Sequence, residues 1–276
     1  MGITGLLTVL KEAQEPVHIS SFKGQTLGID GYVWLHKGAF GCSQEIALGQ
    51  DTRRYVNYIL KKIEMLRHFQ IVPFVVFDGG SLTSKEETEM EREAKKNIQE
   101  GLRLFNMGLK KEAQTYFQRG INITPKFAKD VIEELKKKNI QYVVAPYEAD
   151  AQLAYLEREG TIQGIITEDS DLIVYGCKKI IFKLDDAGNG MLFDRERLGQ
   201  VRSFSLRGWT DETFRKMCIL SGCDYLSSVH GVGLKRSHKY LQRSRDIKQI
   251  AENQWIAFHP QIDSENDEIR RVICSG

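Results

Sequence analysis

Seven acidic residues follow apolar segments of this sequence, in positions where their side chains could hold metal ions. Four short apolar segments, each the length of a buried strand, lead directly into one acid or a pair of acids, and a predicted helix over 214–220 precedes the last. The seven acids are Asp30, Asp78, Glu148, Asp150, Asp169, Asp171 and Asp224. Acids at the carboxyl ends of parallel strands lie on the sheet edge where α/β proteins bind ligands. Their charges would repel one another unless cations lay between them.

The chemistry of these acids favours Mg²⁺ or Mn²⁺ and phosphodiester hydrolysis. A single acid at a strand end is more often a helix cap or a turn residue, but four strands with the same ending are hard to explain in that way. Carboxylate oxygens suit hard divalent ions better than zinc. Two such ions about 4 Å apart can activate water and stabilise the leaving oxygen of a phosphodiester. The sequence therefore predicts a metal-dependent nuclease.

The charged segment that follows the second acidic strand has two interpretations. Lys85 and Arg92 lie seven residues apart, so they would share one helical face, with Lys96 on nearly the same line. Five glutamates interleave with these cations, as in a solvated helix crossed by ion pairs. Alternatively, the helix stands over the metal site and its cations contact the scissile phosphate.

Tyr32 and His36 lie just after the first acid and present a similar choice. They are four residues apart and would share a face of the helix that begins near Gly31. Both side chains could pack in the core, or they could form an aromatic platform for a DNA base.

A basic segment near residue 240 predicts contact with a nucleic-acid backbone. Gly231 and Gly233 flank Val232 between two predicted helices, where backbone N–H groups can approach a phosphate closely. Between His230 and Lys248 there are six Lys or Arg residues and one acid. The six are Lys235, Arg236, Lys239, Arg243, Arg245 and Lys248. In a chain of net charge +2 this patch is a local feature, as DNA binding would require.

The elements that must position these residues indicate an α/β fold. Apolar segments over 26–29, 72–77, 142–144 and 165–166 read as buried parallel strands separated by helical patterns. With 276 residues and 41% hydrophobic content, the chain can build a large core. No apolar run reaches the length of a membrane span, and five cysteines without a Cys-x-x-Cys pattern favour a reducing compartment.

Several motifs resemble those of the flap-endonuclease/XPG family of structure-specific 5′-nucleases, and of its exonuclease members in particular. The resemblance covers residues 1 to about 245, and the segments that carry it are 1–7, 31–39, 76–79, 145–156, 166–172 and 220–228. It implies a PIN-like, mostly parallel sheet with helices on both faces, a helical arch and a carboxy-terminal helix–two-turn–helix. The implied regions are 1–99 (XPG-N-like), 100–137 (helical arch or linker) and 138–276 (XPG-I-like), with the helix–two-turn–helix at about 211–245.

The resemblance also assigns roles to individual residues. All seven acids fall on the family's metal ligands, for two Mg²⁺ ions that Mn²⁺ can replace. Lys85 and Arg92 match cations that contact the scissile phosphate, Tyr32 matches a base-stacking residue, and His36 matches a wedge at the duplex junction. A monovalent-cation site for K⁺ is implied at Ser221, Ser228 and Val232. Lys95 and Lys96 stand where the family has arginines, so they keep the charge without the bidentate geometry.

The resulting expectation is a monomeric nuclear enzyme of DNA repair, with a role in mismatch repair, end resection and recombination. It would degrade duplex DNA from 5′ ends, nicks or gaps and cut 5′ flaps. We expect the tail through which family members bind mismatch-repair proteins to be absent, since the sequence ends at Gly276. The alternatives are a flap endonuclease of replication and a non-catalytic binder of DNA structures.

Overall fold

The computed structural model describes residues 2–80, 84–202, 204–223 and 231–243, and leaves the side chains of 84–91 undescribed. The chain divides into two compact units. We call residues 16–168 and 179–192 the sheet unit, and residues 1–15, 169–178 and 193–276 the helical unit. No helix in the described part of the chain is both long and apolar enough to cross a bilayer.

A seven-stranded sheet organises the fold. Its strands are β1 (Gln14–His18), β2 (Thr26–Asp30), β3 (Val72–Phe77), β4 (Gln141–Val144), β5 (Gly164–Ile166), β6 (Lys179–Phe182) and β7 (Asn189–Asp194). Their order across the sheet is β1-β7-β6-β5-β2-β3-β4. The pairs β2–β3, β3–β4, β2–β5 and β5–β6 are parallel.

The strand order places a topological switch point between β2 and β5. From β2 the chain adds β3 and then β4 on one side, and it returns to add β5 on the other side of β2. In open parallel sheets, ligands bind at such a switch, in the crevice beyond the carboxyl ends of the strands. Within the sheet unit, Asp30 ends β2, Asp78 follows β3, and Glu148 and Asp150 follow β4, so these four acids lie along this edge of the sheet, at the switch point or beside it.

Helices precede, connect and follow the strands. They are α1 (Leu6–Val9), α2 (Gly31–Phe40), α3 (Ser43–Ala47), α4 (Arg54–His68), α5 (Ser84–Asn106), α6 (Lys110–Arg119), α7 (Pro125–Lys137), α8 (Ala149–Arg158), α9 (Asp171–Val174), α10 (Asp211–Ser221) and α11 (Leu234–Arg243). Short 3₁₀ helices occur at Lys11–Ala13, Ile19–Phe22 and Arg195–Gln200.

The core of the sheet unit forms where α2, α4 and α7 pack on the central strands. The buried face of α4 repeats every three to four residues, through Tyr55, Ile59, Ile63 and Leu66, as expected for an amphipathic helix. Helix α8 packs on β2, where Gly28 leaves room for its neighbours because a Cβ atom there would lie 2.7 Å from Leu153 Cδ2. The predicted α/β architecture is therefore confirmed.

Helices α5 and α6 pack against each other, and α6 lies inside the range 100–137 that was predicted as helical arch or linker. Leu104, Ala113 and Phe117 are buried between them as a separate small core. Gly101 permits this close approach, since a Cβ atom there would lie 2.7 Å from the Phe117 ring. Helix α5 is continuous through the predicted regional boundary at 99/100.

In the helical unit, α10 packs on α11. Thr210 caps α10 by accepting a 3.2 Å hydrogen bond from the backbone N–H of Thr213. His238 of α11 is buried against two aromatic rings, with ring centroids 4.1 Å from Phe204 and 4.7 Å from Trp209, and its Nε2 lies 2.7 Å from the Ser205 carbonyl oxygen. These contacts fix one face of α11 and leave its cations exposed.

Candidate metal centre

Asp30, at the end of β2, is the most enclosed acid among the described residues of the sheet unit, with 5% of its surface exposed. One carboxylate oxygen accepts a 3.0 Å hydrogen bond from the backbone N–H of Val33 and so caps α2. The other accepts a 2.9 Å hydrogen bond from the hydroxyl of Thr167. Thr167 directly follows β5 and is itself buried, so this bond joins the two sides of the switch point.

Asp78 follows β3 and lies beside the segment that carries the next acids. Its carboxylate accepts a 2.7 Å hydrogen bond from the backbone N–H of Ala149, at the start of α8. Burial raises the pKa of Asp78, that hydrogen bond lowers it, and the negative charge of Glu148 raises it further. Mutual repulsion of this kind is what a bound cation would relieve.

The backbone after β3 approaches the segment after β4 so closely that only glycine fits at position 79. The N–H of Gly79 donates a 2.6 Å hydrogen bond to the Tyr147 carbonyl oxygen. A Cβ atom at Gly79 would lie 1.9 Å from the Ala145 carbonyl oxygen, far inside van der Waals contact. The glycine therefore allows the chain of Asp78 to run beside the chain of Glu148.

Glu148 and Asp150 occupy the amino-terminal end of α8. Glu148 is the N-cap residue and Asp150 lies in the first turn, and both side chains are partly exposed. The positive end of the helix dipole stabilises negative charge at these positions. Part of their clustered charge is thus compensated by the backbone.

Asp169 and Asp171 belong to the helical unit, where backbone groups hold them. The backbone N–H of Asp171 donates a 2.9 Å hydrogen bond to one oxygen of Asp169, which is 3% exposed. The Asp171 carboxylate accepts a 3.0 Å hydrogen bond from the backbone N–H of Ile3. Gly2 lies against the same pair, since a Cβ atom there would be 2.4 Å from the Asp169 carboxylate.

The donor chemistry of these acids fits a hard divalent cation, while their arrangement is not by itself a complete ligand set. Among the described residues, no three or more Asp, Glu, His or Cys side chains are grouped so that they could hold a metal ion. Several of the acids instead accept hydrogen bonds from protein groups. Asp224 lies outside the described residues. An ion would have to compete with these hydrogen bonds for carboxylate oxygens.

Glu168, between Thr167 and Asp169, ties the loop after β5 to two other elements. Its carboxylate pairs with the ammonium group of Lys37 on α2. It also accepts a 3.1 Å hydrogen bond from the backbone N–H of Lys183, a non-glycine residue in the left-handed region at φ 55°. Within the sheet unit, the side chains of Thr167 and Glu168 therefore both fix the loop, the first to Asp30 and the second to Lys37 and Lys183.

Tyr32 and His36 have different environments on α2. Tyr32 is half-buried, and its ring stands edge-on to Phe77 at 6.4 Å between centroids. Burial and the charge of Asp78 raise the pKa of Tyr32. His36 is exposed and so is not a core residue.

The predicted phosphate-binding cations are only partly described. The backbone at Lys85 lies in α5, but its side chain falls outside the described residues. Arg92, Lys95 and Lys96 of the same helix are exposed, so they are available to a ligand.

The predicted helix–two-turn–helix contains α10 and α11, while Asp224 and Ser228 lie outside the described residues. The Ser221 hydroxyl donates a 2.8 Å hydrogen bond to the Cys218 carbonyl oxygen, and Val232 is buried. Gly231 has φ +74°, and the carbonyl oxygen of Gly233 accepts backbone hydrogen bonds from the first turn of α11.

Lys235, Arg236, Lys239 and Arg243 are exposed on α11. The described part of this segment, 231–243, contains no acidic residue. The cations are therefore not offset by acids within their own helix.

Two residues that hold the acids were not identified from the sequence. Thr167 binds Asp30 across 137 positions of sequence, and Gly79 permits the close approach described above. The sequence offered one signal for each residue. Thr167 directly precedes an acidic pair at a strand end, and Gly79 directly follows an acid.

Comparison with known proteins connects the chain to a nuclease family. The XPG N-terminal domain pattern matches residues 1–99, and the XPG I-region pattern matches residues 139–224. Exonuclease 1 of Xenopus laevis is 48% identical over 244 residues, which is 88% of this chain and 33% of that protein. The DNA damage-inducible protein DIN7 of Saccharomyces cerevisiae is 40% identical over 287 residues, which is 99% of this chain and 67% of that protein.

Solved structures agree on the fold. The catalytic core of Rad2 in complex with DNA substrate superposes with a TM-score of 0.67 at 21% identity, and the match covers 99% of this chain and 79% of that one. Flap endonuclease-1 from Methanococcus jannaschii gives a TM-score of 0.59 at 20% identity, over 94% and 81% of the two chains. At these identities the likeness concerns the fold. The chain spans about a third of the length of the exonuclease 1 relatives it matches.

Proposed function

Because this chain belongs to the XPG family of nucleases, with exonuclease 1 among its relatives, we propose that it is a Mg²⁺-dependent 5′-to-3′ exonuclease of double-stranded DNA. We propose that it also cuts 5′ flaps. Its substrates would be duplexes with 5′ ends, nicks, gaps or flaps.

The observation that carries this proposal is the position of four acids at one edge of a parallel sheet. Asp30 ends β2, Asp78 follows β3, and the pair Glu148 and Asp150 follows β4. These three strands are neighbours in the sheet. Together with Asp169, Asp171 and Asp224, they would hold two divalent ions. A protein that only binds DNA has no need of such a set, because acids repel the polyanion.

The two ions would supply an activated water and stabilisation of the leaving oxygen, with Mn²⁺ able to replace Mg²⁺. The residues of the chain would orient the ligands, neutralise the phosphate and position the substrate. The hydrogen-bond donors around the carboxylates would keep the oxygen ligands oriented, and the Thr167 hydroxyl, which donates to Asp30, would do so for that acid. Lys85 and Arg92 would neutralise the scissile phosphate, and Tyr32 would stack on the neighbouring base.

Binding of the duplex would depend on surfaces other than the acids. The exposed cations of α11, with Gly231 and Gly233 at its start, would contact the backbone of the duplex. Lys96 would contact DNA from α5, and His36 would stand at the duplex junction. A K⁺ ion at Ser221, Ser228 and Val232 would link the helix–two-turn–helix to a phosphate.

The names of the relatives support a proposal for the biological setting. One of them is named as a DNA damage-inducible protein, and this chain covers two thirds of its length. We propose a role in DNA repair, in mismatch repair, end resection or recombination, with the protein acting as a monomer in the nucleus.

A cleavage assay tests the proposal directly. A recessed 5′-phosphorylated duplex and a 5′-flap duplex, both end-labelled, are incubated with Mg²⁺ or with EDTA. We expect Mg²⁺-dependent release of short products from the recessed 5′ end, and loss of cleavage in Asp171→Asn. That variant keeps an oxygen that can accept the Ile3 N–H, so it tests the charge and spares the fold.

The matched control is Glu159→Ala, which removes an exposed acid after α8. It should cleave like the wild type. Preference for the flap would indicate a flap endonuclease. Binding of both substrates with no cleavage in Mg²⁺ or Mn²⁺ would refute the catalytic proposal in favour of a DNA-structure binder.

A further inference from the structure

A cavity of about 370 Å³ lies within the sheet unit, between α2, α7 and the carboxyl ends of β3 and β4. This volume is within the range of about 300–1,000 Å³ that small-molecule sites occupy. Its position beyond the strand ends is the usual one for ligands of parallel sheets. We call it the α7 cavity.

One part of the α7 cavity is aromatic and apolar. Tyr32 and the fully buried Phe77 line it, together with Ala128 and Ile132, which are four apart and so share a face of α7. The Tyr32 ring is only half-buried, so part of it remains open to a ligand. A flat heteroaromatic ring is the ligand chemistry that such walls favour.

The other part of the cavity carries charge. Lys129 and Lys136 line it from positions seven apart on α7, hence from one face of the helix, and both are exposed. Among the described residues, neither lysine forms an ion pair with a carboxylate. Ammonium groups on flexible stems are suited to holding a phosphate as point charges.

Two acids in the lining set a condition for anion binding. Glu133 and Asp78 line the same cavity as the two lysines, so the formal charges of the four side chains sum to zero. One oxygen of Asp78 already accepts the Ala149 N–H. Anion binding would be strongest when a divalent cation compensates the charge of Asp78. The proposed nuclease would be in this metal-bound state during catalysis.

We propose that the α7 cavity binds a nucleoside 5′-monophosphate, with the base against Tyr32 and the phosphate at Lys129 and Lys136. The inference rests on the proposed function, because this molecule is what hydrolysis at a 5′-phosphorylated terminus releases. The cavity would then hold the excised nucleotide beside the cleavage site until it dissociates. Free nucleotide should therefore act as a product inhibitor.

The test measures binding of dAMP to the full chain by ligand-observed NMR, in Mg²⁺ and in EDTA. We expect saturable binding that is stronger in Mg²⁺. The double variant Lys129→Gln, Lys136→Gln should weaken it about tenfold or more, as expected when charge-assisted hydrogen bonds to the phosphate are removed. The control, Lys126→Gln with Lys137→Gln, removes the same charge from α7 outside the cavity and should bind dAMP like the wild type.

Two comparison probes separate the parts of the site. Deoxyadenosine and inorganic phosphate should each bind more weakly than dAMP if base and phosphate are recognised together. Equal binding of dAMP by the double variant and the wild type, or binding of phosphate as tight as that of dAMP, would overturn the inference.

The duplex-cleavage assay with Mg²⁺ is run on the same samples. Cleavage without any dAMP binding would refute the cavity as a product site and leave the proposed function standing. Lysine-dependent dAMP binding without cleavage would refute the proposed function and still support a nucleotide site.

Discussion

At the scale of single residues, the acids are held by neutral hydrogen-bond donors. Asp30 receives the Val33 N–H and the Thr167 hydroxyl, and Asp171 receives the Ile3 N–H. Donors of this kind orient a carboxylate without neutralising its charge. A cation can therefore still be attracted to it.

Replacement of the Thr167 hydroxyl should impair metal binding while the fold persists. Thr167→Val keeps the shape of the side chain and removes the hydroxyl that donates to Asp30. We expect Mn²⁺ affinity and cleavage rate to fall by about 10- to 100-fold, as for other residues that orient metal ligands. Mn²⁺ binding can be followed by electron paramagnetic resonance and the fold by thermal unfolding.

The conservative variant Thr167→Ser is the matched control, since it restores the hydroxyl. It should bind Mn²⁺ nearly as tightly as the wild type. Equal Mn²⁺ affinities for Thr167→Val and wild type would show that the hydroxyl does not position Asp30.

A second residue-scale prediction concerns Lys62, a lysine of α4 that is only 4% exposed. Its ammonium group binds the Leu184 carbonyl oxygen at 3.1 Å and the Asp186 carboxylate at 2.8 Å. Hydrogen bonds from Lys62 and Lys61 lower the pKa of Asp186 from 3.8 to about 2. The unfolded chain therefore binds more protons than the folded one over this pH interval, so the stabilisation present above pH 3.8 is lost as the pH falls toward 2.

Asp186→Asn should remove this part of the pH dependence and lower the free energy of unfolding at pH 7 by roughly 1 kcal/mol, because the Asp186 side chain is 57% exposed and water screens its pairing. Urea unfolding at several pH values measures both effects. Lys61→Gln is the control, because Lys61 is 70% exposed and its pairing is screened by water. If Lys61→Gln lost as much stability as Asp186→Asn, burial of Lys62 would not be the cause.

At the scale of elements, helix starts show how local sequence becomes structure. Thr210 precedes α10 and accepts the Thr213 N–H, whereas Thr124 precedes α7 without a capping hydrogen bond from its side chain. Both positions look alike in sequence, since each Thr comes just before a helical pattern. Only the side-chain conformation in the folded chain distinguishes them.

Thr210→Ala should therefore cost about 1 kcal/mol of unfolding free energy, the usual value of an N-cap. Thr124→Ala should cost clearly less, because its side chain makes no capping hydrogen bond. Chemical denaturation of the two variants provides the comparison. Equal decreases in stability would mean that the capping bond of Thr210 contributes little.

The same scale shows what could be predicted from the sequence. The central strands and the acids after them were predictable, because apolar segments between helical patterns are a strong local signal. Strand β1 was missed because Gln14, Glu15 and Pro16 do not alternate with apolar residues. The bond from Thr167 to Asp30 was not predictable, since it depends on which strands become neighbours. The spacing of Tyr32 could not decide between packing in the core and stacking on a DNA base. In the structure Tyr32 is half-buried.

At the scale of the whole molecule, charge is balanced overall and uneven locally. The net charge of +2 gives DNA little general attraction. Helix α11 presents Lys235, Arg236, Lys239 and Arg243 to solvent, with no acid among residues 231–243. Association with DNA should therefore depend on this helix and on salt concentration.

Removal of two of these cations should change the salt dependence more than the specificity. For Lys235→Gln with Lys239→Gln, we expect the slope of log affinity against log salt to become shallower by about 2, one for each phosphate that is no longer neutralised. Fluorescence anisotropy in EDTA measures binding without cleavage. The control pair Lys110→Gln and Lys111→Gln on α6 should leave the slope unchanged, and an equal change there would refute a specific role for α11.

The hydrogen bond from Ile3 to Asp171 has a consequence for synthesis on the ribosome. Its two partners are 168 positions apart, so the amino-terminal segment emerges long before Asp171 exists. At translation rates of about 5–20 residues per second, that interval lasts roughly 8–34 s. During it the nascent chain can close β2 against β3, but the acidic loop at Asp169 cannot receive its amino-terminal partner. Assembly of the proposed metal centre should therefore occur late in the synthesis and folding of each chain.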